Sequence, residues 1–237
     1  MNLSLPADRL AALAGMRDAS GVPAAVLAAG MIGFGAFSLE YGFSVWLALA
    51  CTAGIWALPG QVVLLEMLLS GAPGYLTVFV VALTGARFLP MTMALMPVVR
   101  RPGGPHWTVY VVAQLIAMTG WAWAMQRCPA MPQAQRMPYF TGFAAACWLI
   151  SIAATAVGYW LAGSFPDPMR IGFVFLTPVY FFVILVGDVR TALAAWALAC
   201  GAVAGPLIHL VSPQWSVLLS GLVGGTLAYL IQRNYGR

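Results

Sequence analysis

The stretch VVALTGARFLPMTMALMPVV (residues 80–99) has the composition of a membrane-spanning helix, but its middle contains three residues that interrupt or destabilise such a helix. Gly85 and Pro90 weaken a helix, and Arg87 keeps its charge at any ordinary pH. A charge at the centre of a bilayer costs about 2.5–3.5 kcal/mol on insertion scales. The stretch therefore predicts a membrane helix that is opened near its middle, at a place where a buried positive charge is needed.

The whole chain has the composition of a polytopic membrane protein. Of its 237 residues, 62% are hydrophobic and 7% are charged, whereas an ordinary soluble domain has about 25% charged residues. The apolar runs are continuous, which predicts α-helices whose backbone hydrogen bonds are satisfied within one segment. Because each crossing needs about 20 residues, we expect an all-α polytopic membrane protein with about eight transmembrane helices. Residues 1–237 are expected to form a single transmembrane domain.

Eight apolar segments follow a mixed stretch, residues 1–21, which has no signal-peptide pattern and is expected to lie in the cytoplasm. The helical bundle is predicted over residues 22–232. Three of its segments are interrupted by proline or glycine near the midplane, around Pro59-Gly60, Gly85 to Pro90, and Thr177-Pro178. We expect breaks in the helix, and the alternative at Pro59 and Pro178 is a simple kink. The predicted segments are 22–40, 45–69, 75–99, 107–126, 139–162, 171–187, 191–211 and 214–232.

The arginines indicate how the chain is oriented, since cytoplasmic loops of membrane proteins carry an excess of positive charge. The chain has eleven arginines and no lysine. With both termini in the cytoplasm, eight crossings place Arg9, Arg17, Arg127, Arg136, Arg190, Arg233 and Arg237 inside, and Arg100, Arg101 and Arg170 outside. The inside excess favours this orientation. The adjacent pair Arg100-Arg101 is the part of the distribution that fits least well.

Residue patterns that support enzymatic chemistry are absent from the sequence. His106 lies in a loop and His209 near the end of a segment, so no metal-ligand cluster is formed. The sequence also has no P-loop and no GxGxxG motif that opens a helix. We therefore expect no catalytic residues, no metal, no cofactor and no nucleic-acid partner, and we expect most of the surface to face membrane lipid.

Two ionisable residues lie well inside apolar segments. Arg87 needs an anion, either a carboxylate of the protein or a carboxylate of a substrate. Glu66 can bind and release a proton, so it could couple transport to a proton gradient. The alternative is structural, with Glu66 and Arg87 forming a fixed ion pair that holds two helices together.

Gln61 follows the Pro59-Gly60 break and is the third polar residue of this group. A helix that starts near Gly60 points unpaired N–H groups and the positive end of its dipole towards the midplane, which suits a carboxylate. The alternative reading of Gln61 is an ordinary hydrogen bond between two helices.

The order of these features resembles the AzlC-type branched-chain amino-acid permeases, the large subunits of bacterial branched-chain amino-acid exporters. The resemblance covers about residues 15–230. It rests on GMRDASGVPAAVLAAGMIGFGAFSLEYGFS (15–44), LPGQVVLLEMLLSGAP (58–73), ARFLPMTMALMP (86–97) and FPDPMRIGFVFLTPVYFFVILV (165–186). It implies export of leucine, isoleucine, valine or related apolar amino acids, together with a small membrane partner of the AzlD type.

The resemblance also implies roles for particular residues. Gly60 and Gln61 match the family's pairing of a small residue with glutamine, and Arg87 matches its arginine in the third segment. The family usually has asparagine and histidine where this chain has Gly85 and Phe88. Its acidic pair in the fourth segment is replaced by Gly120 and Trp121, which follow Thr119.

We therefore expect a proton-coupled secondary transporter and not an enzyme. The alternative is a membrane scaffold subunit that does not itself transport and whose partner carries the function. The residues expected to bind substrate are Pro59, Gly60, Gln61, Gly85, Arg87, Phe88 and Thr119. The expected proton-coupling residue is Glu66.

Overall fold

The computed structural model describes residues 7–100, 107–164, 192–212 and 215–235, together with the single residues 166, 172, 175, 179, 182 and 189. The fold class is confirmed, because the described residues form an all-α structure with apolar helices long enough to cross a membrane. The predicted sixth segment and its Thr177-Pro178 break lie outside the described residues, apart from four of the single positions.

The helices follow one another along the chain with short connections. In order they are α1 (Ala7–Ala19), α2 (Val22–Glu40), α3 (Val45–Gly54), α4 (Leu58–Leu69), α5 (Gly74–Gly85), α6 (Phe88–Val99), α7 (Trp107–Gln114), α8 (Met118–Arg127), a short 3-10 helix (Cys128–Ala130), α9 (Gln133–Ser164), α10 (Ala192–Val211) and α11 (Ser216–Tyr235).

Three of the described helices, α2, α9 and α10, are each long and apolar enough to span a bilayer. The count rises to five if each of two bent pairs, α5 with α6 and α7 with α8, forms one span. Helix α9 has 32 residues, which corresponds to about 48 Å at 1.5 Å per residue. It is therefore longer than the hydrocarbon core, which is about 30 Å thick.

The chain divides into two compact units. The first consists of Met1–Leu58 and Gly85–Leu176, and the second consists of Pro59–Thr84 and Thr177–Arg237. In the second unit, α4 packs on α5 through Val63, Met67, Leu76 and Val80. Its α10 and α11 form an antiparallel hairpin in which Gly201 contacts Gly224.

In the first unit, α1 and α2 pack one after the other along α9, and glycine makes this close approach possible. A Cβ atom added to Gly142 would overlap the carbonyl oxygen of Ala12, and one added to Gly158 would overlap the carbonyl oxygen of Ile32. The reverse contacts are equally close, since Gly15 meets the backbone of α9 at 139–143 and Gly35 meets it at 155–159. Small residues at such crossings let helix backbones touch, which provides the dispersion contacts that hold helices together in lipid.

These contacts also fix the direction of the helices. As the chain advances from Ala12 to Ile32, its contact point on α9 advances from Gly142 to Gly158. Helices α1 and α2, taken in chain order, therefore advance along α9 in the same direction as α9 itself. The start of α1 and the start of α9 lie at the same end of the first unit.

The break in the second segment lies three residues before the expected position. Helix α3 ends at Gly54 and α4 begins at Leu58, so Pro59 and Gly60 lie in the first turn of α4. Proline suits this turn because its missing N–H would have had no acceptor within the helix. The turn itself contains Trp56, a non-glycine residue with a φ of 41°.

The fourth segment has a break that the sequence analysis did not predict. Helices α7 and α8 are separated by residues 115–117 and are bent by 119° relative to each other. The third segment is broken where Gly85 and Arg87 predict it, since α5 ends at Gly85 and α6 begins at Phe88.

The close contact between α2 and α9 leads to a stability prediction. Replacing Gly158 with alanine forces the helices apart, because the new methyl group meets backbone, and overpacking costs about 1–3 kcal/mol. In the matched control Gly163→Ala, the added Cβ meets only the flexible end of Leu39 at 3.4 Å. We expect the midpoint of thermal unfolding in detergent to fall for Gly158→Ala and to stay near the parent value for Gly163→Ala. Equal midpoints for the two variants would contradict the packing described above.

Candidate functional site

The opening stretch forms a helix break in the first unit. Ala86 and Arg87 separate α5 from α6, and Pro90 lies in the first turn of α6. The Arg87 side chain is exposed, and its guanidinium carbon lies 5.1 Å from the centroid of the Phe88 ring. Phe88 is partly buried and packs against the core around Leu95, Phe140 and their neighbours.

The C-terminal end of α3 is a second break, and side chains from elsewhere satisfy its carbonyl groups. The Trp148 Nε1 donates a hydrogen bond to the carbonyl oxygen of Ala53 (3.1 Å). The Gln114 Nε2 donates one to the carbonyl oxygen of Gly54 (2.6 Å). The last carbonyl groups of a helix receive no hydrogen bond from within that helix, and the interior of a membrane has no water to donate one. These two side chains therefore satisfy the carbonyl groups at the end of α3.

Buried polar side chains fasten this end of α3 to α9. The hydroxyl groups of Thr52 and Thr155 lie 2.9 Å apart. The Trp56 Nε1 donates a hydrogen bond to the Ser151 Oγ (3.0 Å), and Trp56 is 4% exposed. This bond helps to hold Trp56 in its left-handed backbone conformation, which costs about 1–3 kcal/mol for residues other than glycine.

The N-terminal end of α8 contains Thr119 and has no side-chain cap. Its N-cap residue is Ala117, whose methyl group cannot accept a hydrogen bond from the first N–H groups of the helix. Gly120 is buried, and a Cβ atom there would lie 3.6 Å from the Phe143 ring. The neighbouring Trp121 Nε1 is shielded and has no hydrogen-bond partner among the described residues. This helix end therefore presents unpaired N–H groups and a partial positive charge.

Helices α3 and α8 lie one after the other along α9. Phe43, just before α3, accepts a hydrogen bond from the Tyr159 hydroxyl, and α3 ends beside residues 148–151. Helix α8 begins near residue 143, and the Nε1 of its Trp123 donates to the Tyr139 hydroxyl (3.0 Å). The negative end of the α3 dipole is therefore followed by the positive end of α8, and Gln114 bridges the two breaks.

In the second unit, Pro59, Gly60 and Gln61 form the beginning of α4. The Gln61 side chain is 0% exposed, and neither its Oε1 nor its Nε2 has a hydrogen-bond partner among the described residues. A long side chain in a helix leans back over the preceding turn, so this amide lies beside the N-terminal end of α4. Burying an unsatisfied amide costs about 1–3 kcal/mol, so this arrangement needs an explanation.

Glu66 lies one and a half turns further along α4, and its side chain is exposed. It interacts electrostatically with His209 on α10. The His209 Nδ1 in turn lies 3.5 Å from the Ser216 Oγ, beside an open groove of about 480 Å³. The second unit thus places a carboxyl group and an imidazole group within electrostatic range of each other.

The structure gathers the predicted residues in two sets, one in each unit. Pro59, Gly60, Gln61 and Glu66 belong to the second unit, whereas Gly85, Arg87, Phe88 and Thr119 belong to the first. No group of three or more histidine, cysteine or acidic residues that could hold a metal occurs within the described ranges.

Sequence reasoning missed the residues that complete the break after α3. These are Trp56, Gln114, Trp148 and Ser151. The available signal was that each places a polar atom inside an apolar segment, where it needs a partner.

The bond between Trp56 and Ser151 gives a second stability prediction. Ser151→Ala leaves the buried indole N–H without an acceptor, which costs about 1–3 kcal/mol. Ser164→Ala is the matched control, since this exposed serine makes the same type of bond to its own helix, at 2.9 Å, without receiving a tryptophan. We expect guanidinium or heat to unfold Ser151→Ala first. If both variants unfold with the parent, the Trp56 bond does not stabilise the break.

The sequence model of the family described as "AzlC protein" matches residues 23–165, a range that holds the helix breaks and every predicted site residue. No curated protein and no solved structure matches the chain. The AzlC family is associated with transport and is not an enzyme family. The match extends over more than half of the sequence, and the chain therefore belongs to the AzlC family.

Proposed function

We propose that this chain is a secondary transporter that exports branched-chain or similar apolar amino acids across the bacterial inner membrane. The observation that carries the proposal is the Gln61 amide, which is fully buried and has no hydrogen-bond partner among the described residues. Glutamine offers both an acceptor oxygen and two N–H donors. An amino acid offers an ammonium group and a carboxylate, so it can satisfy both sides of this amide.

The helix breaks support transport. Gly54 and Gln114, which meet at the end of α3, are both exposed in the described chain. Irregular backbone at membrane depth is tolerated where protein covers it or where it lines a water-filled cavity. Discontinuous helices of this kind form the substrate sites of many secondary transporters.

Arg87 supplies the positive charge in this proposal. Its planar guanidinium can hold a substrate carboxylate through two parallel hydrogen bonds, which lysine cannot reproduce. The flanking Gly85 and Pro90 keep the helix open beside it, and Phe88 contributes apolar surface. Thr119, at the uncapped start of α8, offers a further hydroxyl group.

Glu66 is proposed as the proton carrier. A carboxyl group in an otherwise apolar segment can bind a proton on one side of the membrane and release it on the other. The proposal also includes a small membrane partner of the AzlD type and cytoplasmic termini. Most of the large side chains on α10 are exposed and apolar, a surface that suits either lipid or such a partner.

Reconstitution tests the function directly. The purified chain is placed in liposomes with a panel of labelled amino acids, alone and together with its partner. We expect flux of leucine, isoleucine or valine that depends on the proton gradient. Flux that appears only when the partner is present, and survives mutation of every residue named above, would assign the function to the partner and leave this chain a scaffold.

The role of Gln61 predicts opposite effects on stability and binding. Gln61→Leu replaces an unpaired buried amide with an apolar group of similar size, so the unfolding midpoint should stay constant or rise. Loss of hydrogen bonds to charged substrate groups should weaken leucine binding by about 10–100-fold. Isothermal titration of the folded variant measures the second effect. A Gln61→Leu protein that is less stable but binds leucine normally would make the amide a structural group.

The role of Glu66 predicts a separation between two transport modes. Glu66→Gln keeps the shape of the side chain but cannot lose a proton, so gradient-driven export should be lost. Exchange of labelled for unlabelled leucine without a pH difference should continue. Glu40→Gln is the control, because Glu40 lies at the end of α2 and is not expected to carry the proton. Unchanged gradient-driven flux in Glu66→Gln would remove this residue from the mechanism.

A further inference from the structure

We propose that residues 45–69 and 107–130 are two re-entrant segments that enter the membrane from opposite faces and return to the face they entered from. The chain would then cross the membrane through 22–40, 74–99 and 133–164 in this part of its length. The inference concerns topology and does not depend on which molecule is transported.

Helices α2 and α9 run in the same direction. They are parallel because Ile32 of α2 lies beside Gly158 and Leu39, further along α2, lies beside Gly163. If both cross the membrane, both start on the same face. An odd number of crossings must therefore separate α2 from α9.

The second step is the position of the end of α6, which Arg136 fixes. This residue lies near the start of α9, and its guanidinium donates hydrogen bonds to three carbonyl oxygens. They belong to Val98 (3.2 Å), Pro129 (3.2 Å) and Met131 (2.9 Å). The end of α6, the end of the α8 region and the start of α9 therefore lie together on one face.

The third step concerns α7 and α8. Trp107 follows Val99 by eight positions in the sequence, too few for a crossing, which needs about 20 residues. The chain then runs to the break at residues 115–117, turns by 119° and returns to Pro129 beside Arg136. The fourth apolar segment thus begins and ends on the same face.

The fourth step is the second segment. The start of α2 and the end of α6 share a face, so the chain between them makes an even number of crossings. Helix α2 is one of them, and α5 with α6 together have the length and hydropathy of another. Helices α3 and α4 have 10 and 12 residues, each too short to cross. Along α9, α3 reaches only from Tyr159 to about Trp148, so residues 45–69 form the segment that turns back.

The arginines support this topology independently. It moves Arg100 and Arg101 to the face where α2 begins. The number of arginines on that face rises from seven to nine, and the number on the opposite face falls from three to one. The face of the α2 start then holds Arg9, Arg17, Arg100, Arg101, Arg127, Arg136, Arg190, Arg233 and Arg237, and the other face holds Arg170. The pair that fitted least well now obeys the positive-inside rule. Two crossings are removed from eight, so the termini still share a face.

Cysteine labelling of the full chain in its membrane tests the proposal. The native Cys51, Cys128, Cys147 and Cys200 are replaced with alanine, and one new cysteine is introduced at an exposed position in each variant. The four positions are Tyr41, Pro73, Arg100 and Pro132. A membrane-impermeant maleimide is applied to intact cells and to inverted vesicles.

We expect Arg100→Cys and Pro132→Cys to react from the cytoplasmic face, and Tyr41→Cys and Pro73→Cys to react from the outer face. Reaction of Arg100→Cys and Pro132→Cys from opposite faces would overturn the re-entrant assignment of 107–130. Reaction of Tyr41→Cys and Pro73→Cys from opposite faces would overturn that of 45–69.

Two safeguards keep the result decisive. If a variant fails to accumulate, Gln133→Cys replaces Pro132→Cys and Gly74→Cys replaces Pro73→Cys, since both alternatives are exposed neighbours. If the cysteine-free chain does not fold, the parent supplies the background, because three of its four cysteines are buried. Labelling requires no transport, so a failed export assay and a failed topology are distinguished.

Discussion

The backbone contact between α9 and the α1–α2 pair is the interaction on which the first unit depends. Gly15 and Gly35 on one side and Gly142 and Gly158 on the other bring main chains together without intervening side chains. Lipid tails are as apolar as leucine, so helices in a membrane gain little from hiding apolar surface and must gain from contact area. Helix α9, held in this way, contacts α3 along its C-terminal half and α8 along its N-terminal half.

A second constraint is that broken helices expose polar backbone. At the end of α3, Trp148 and Gln114 donate hydrogen bonds to the last carbonyl groups, although both residues belong to other segments. At the start of α8, the first N–H groups have no side-chain cap among the described residues, because Ala117 cannot accept a hydrogen bond through its side chain. The Gln61 amide on α4 also has no hydrogen-bond partner among the described residues. A protein that left such groups unpaired for no purpose would lose stability, which is why the unsatisfied groups, and not the satisfied ones, direct attention to function.

Much of the fold could be predicted from the sequence, because continuous apolar runs report helices directly. The break at Ala86-Arg87 was also predictable, since glycine and a charge lie beside it. The break at residues 115–117 was not, because Leu, Ile and Ala are ordinary helix residues and the turn depends on Gln114 reaching Gly54 sixty positions away. Gln61 could be named as a candidate, but that its amide is both buried and unpaired is a property of packing and not of sequence.

The joint between α3 and the α7–α8 hairpin has a mechanical consequence. Thr52 and Trp56 tie α3 rigidly to α9, whereas α7 has Val112 as its one buried residue in the described chain. Gln114 donates a hydrogen bond to the carbonyl oxygen of Gly54 across this joint, and such a bond contributes about 1 kcal/mol net. Thermal energy is enough to open it often. Helix α3 is therefore the more firmly held side of the joint, because buried hydrogen bonds fix it to α9, whereas Gln114 on α7 is exposed.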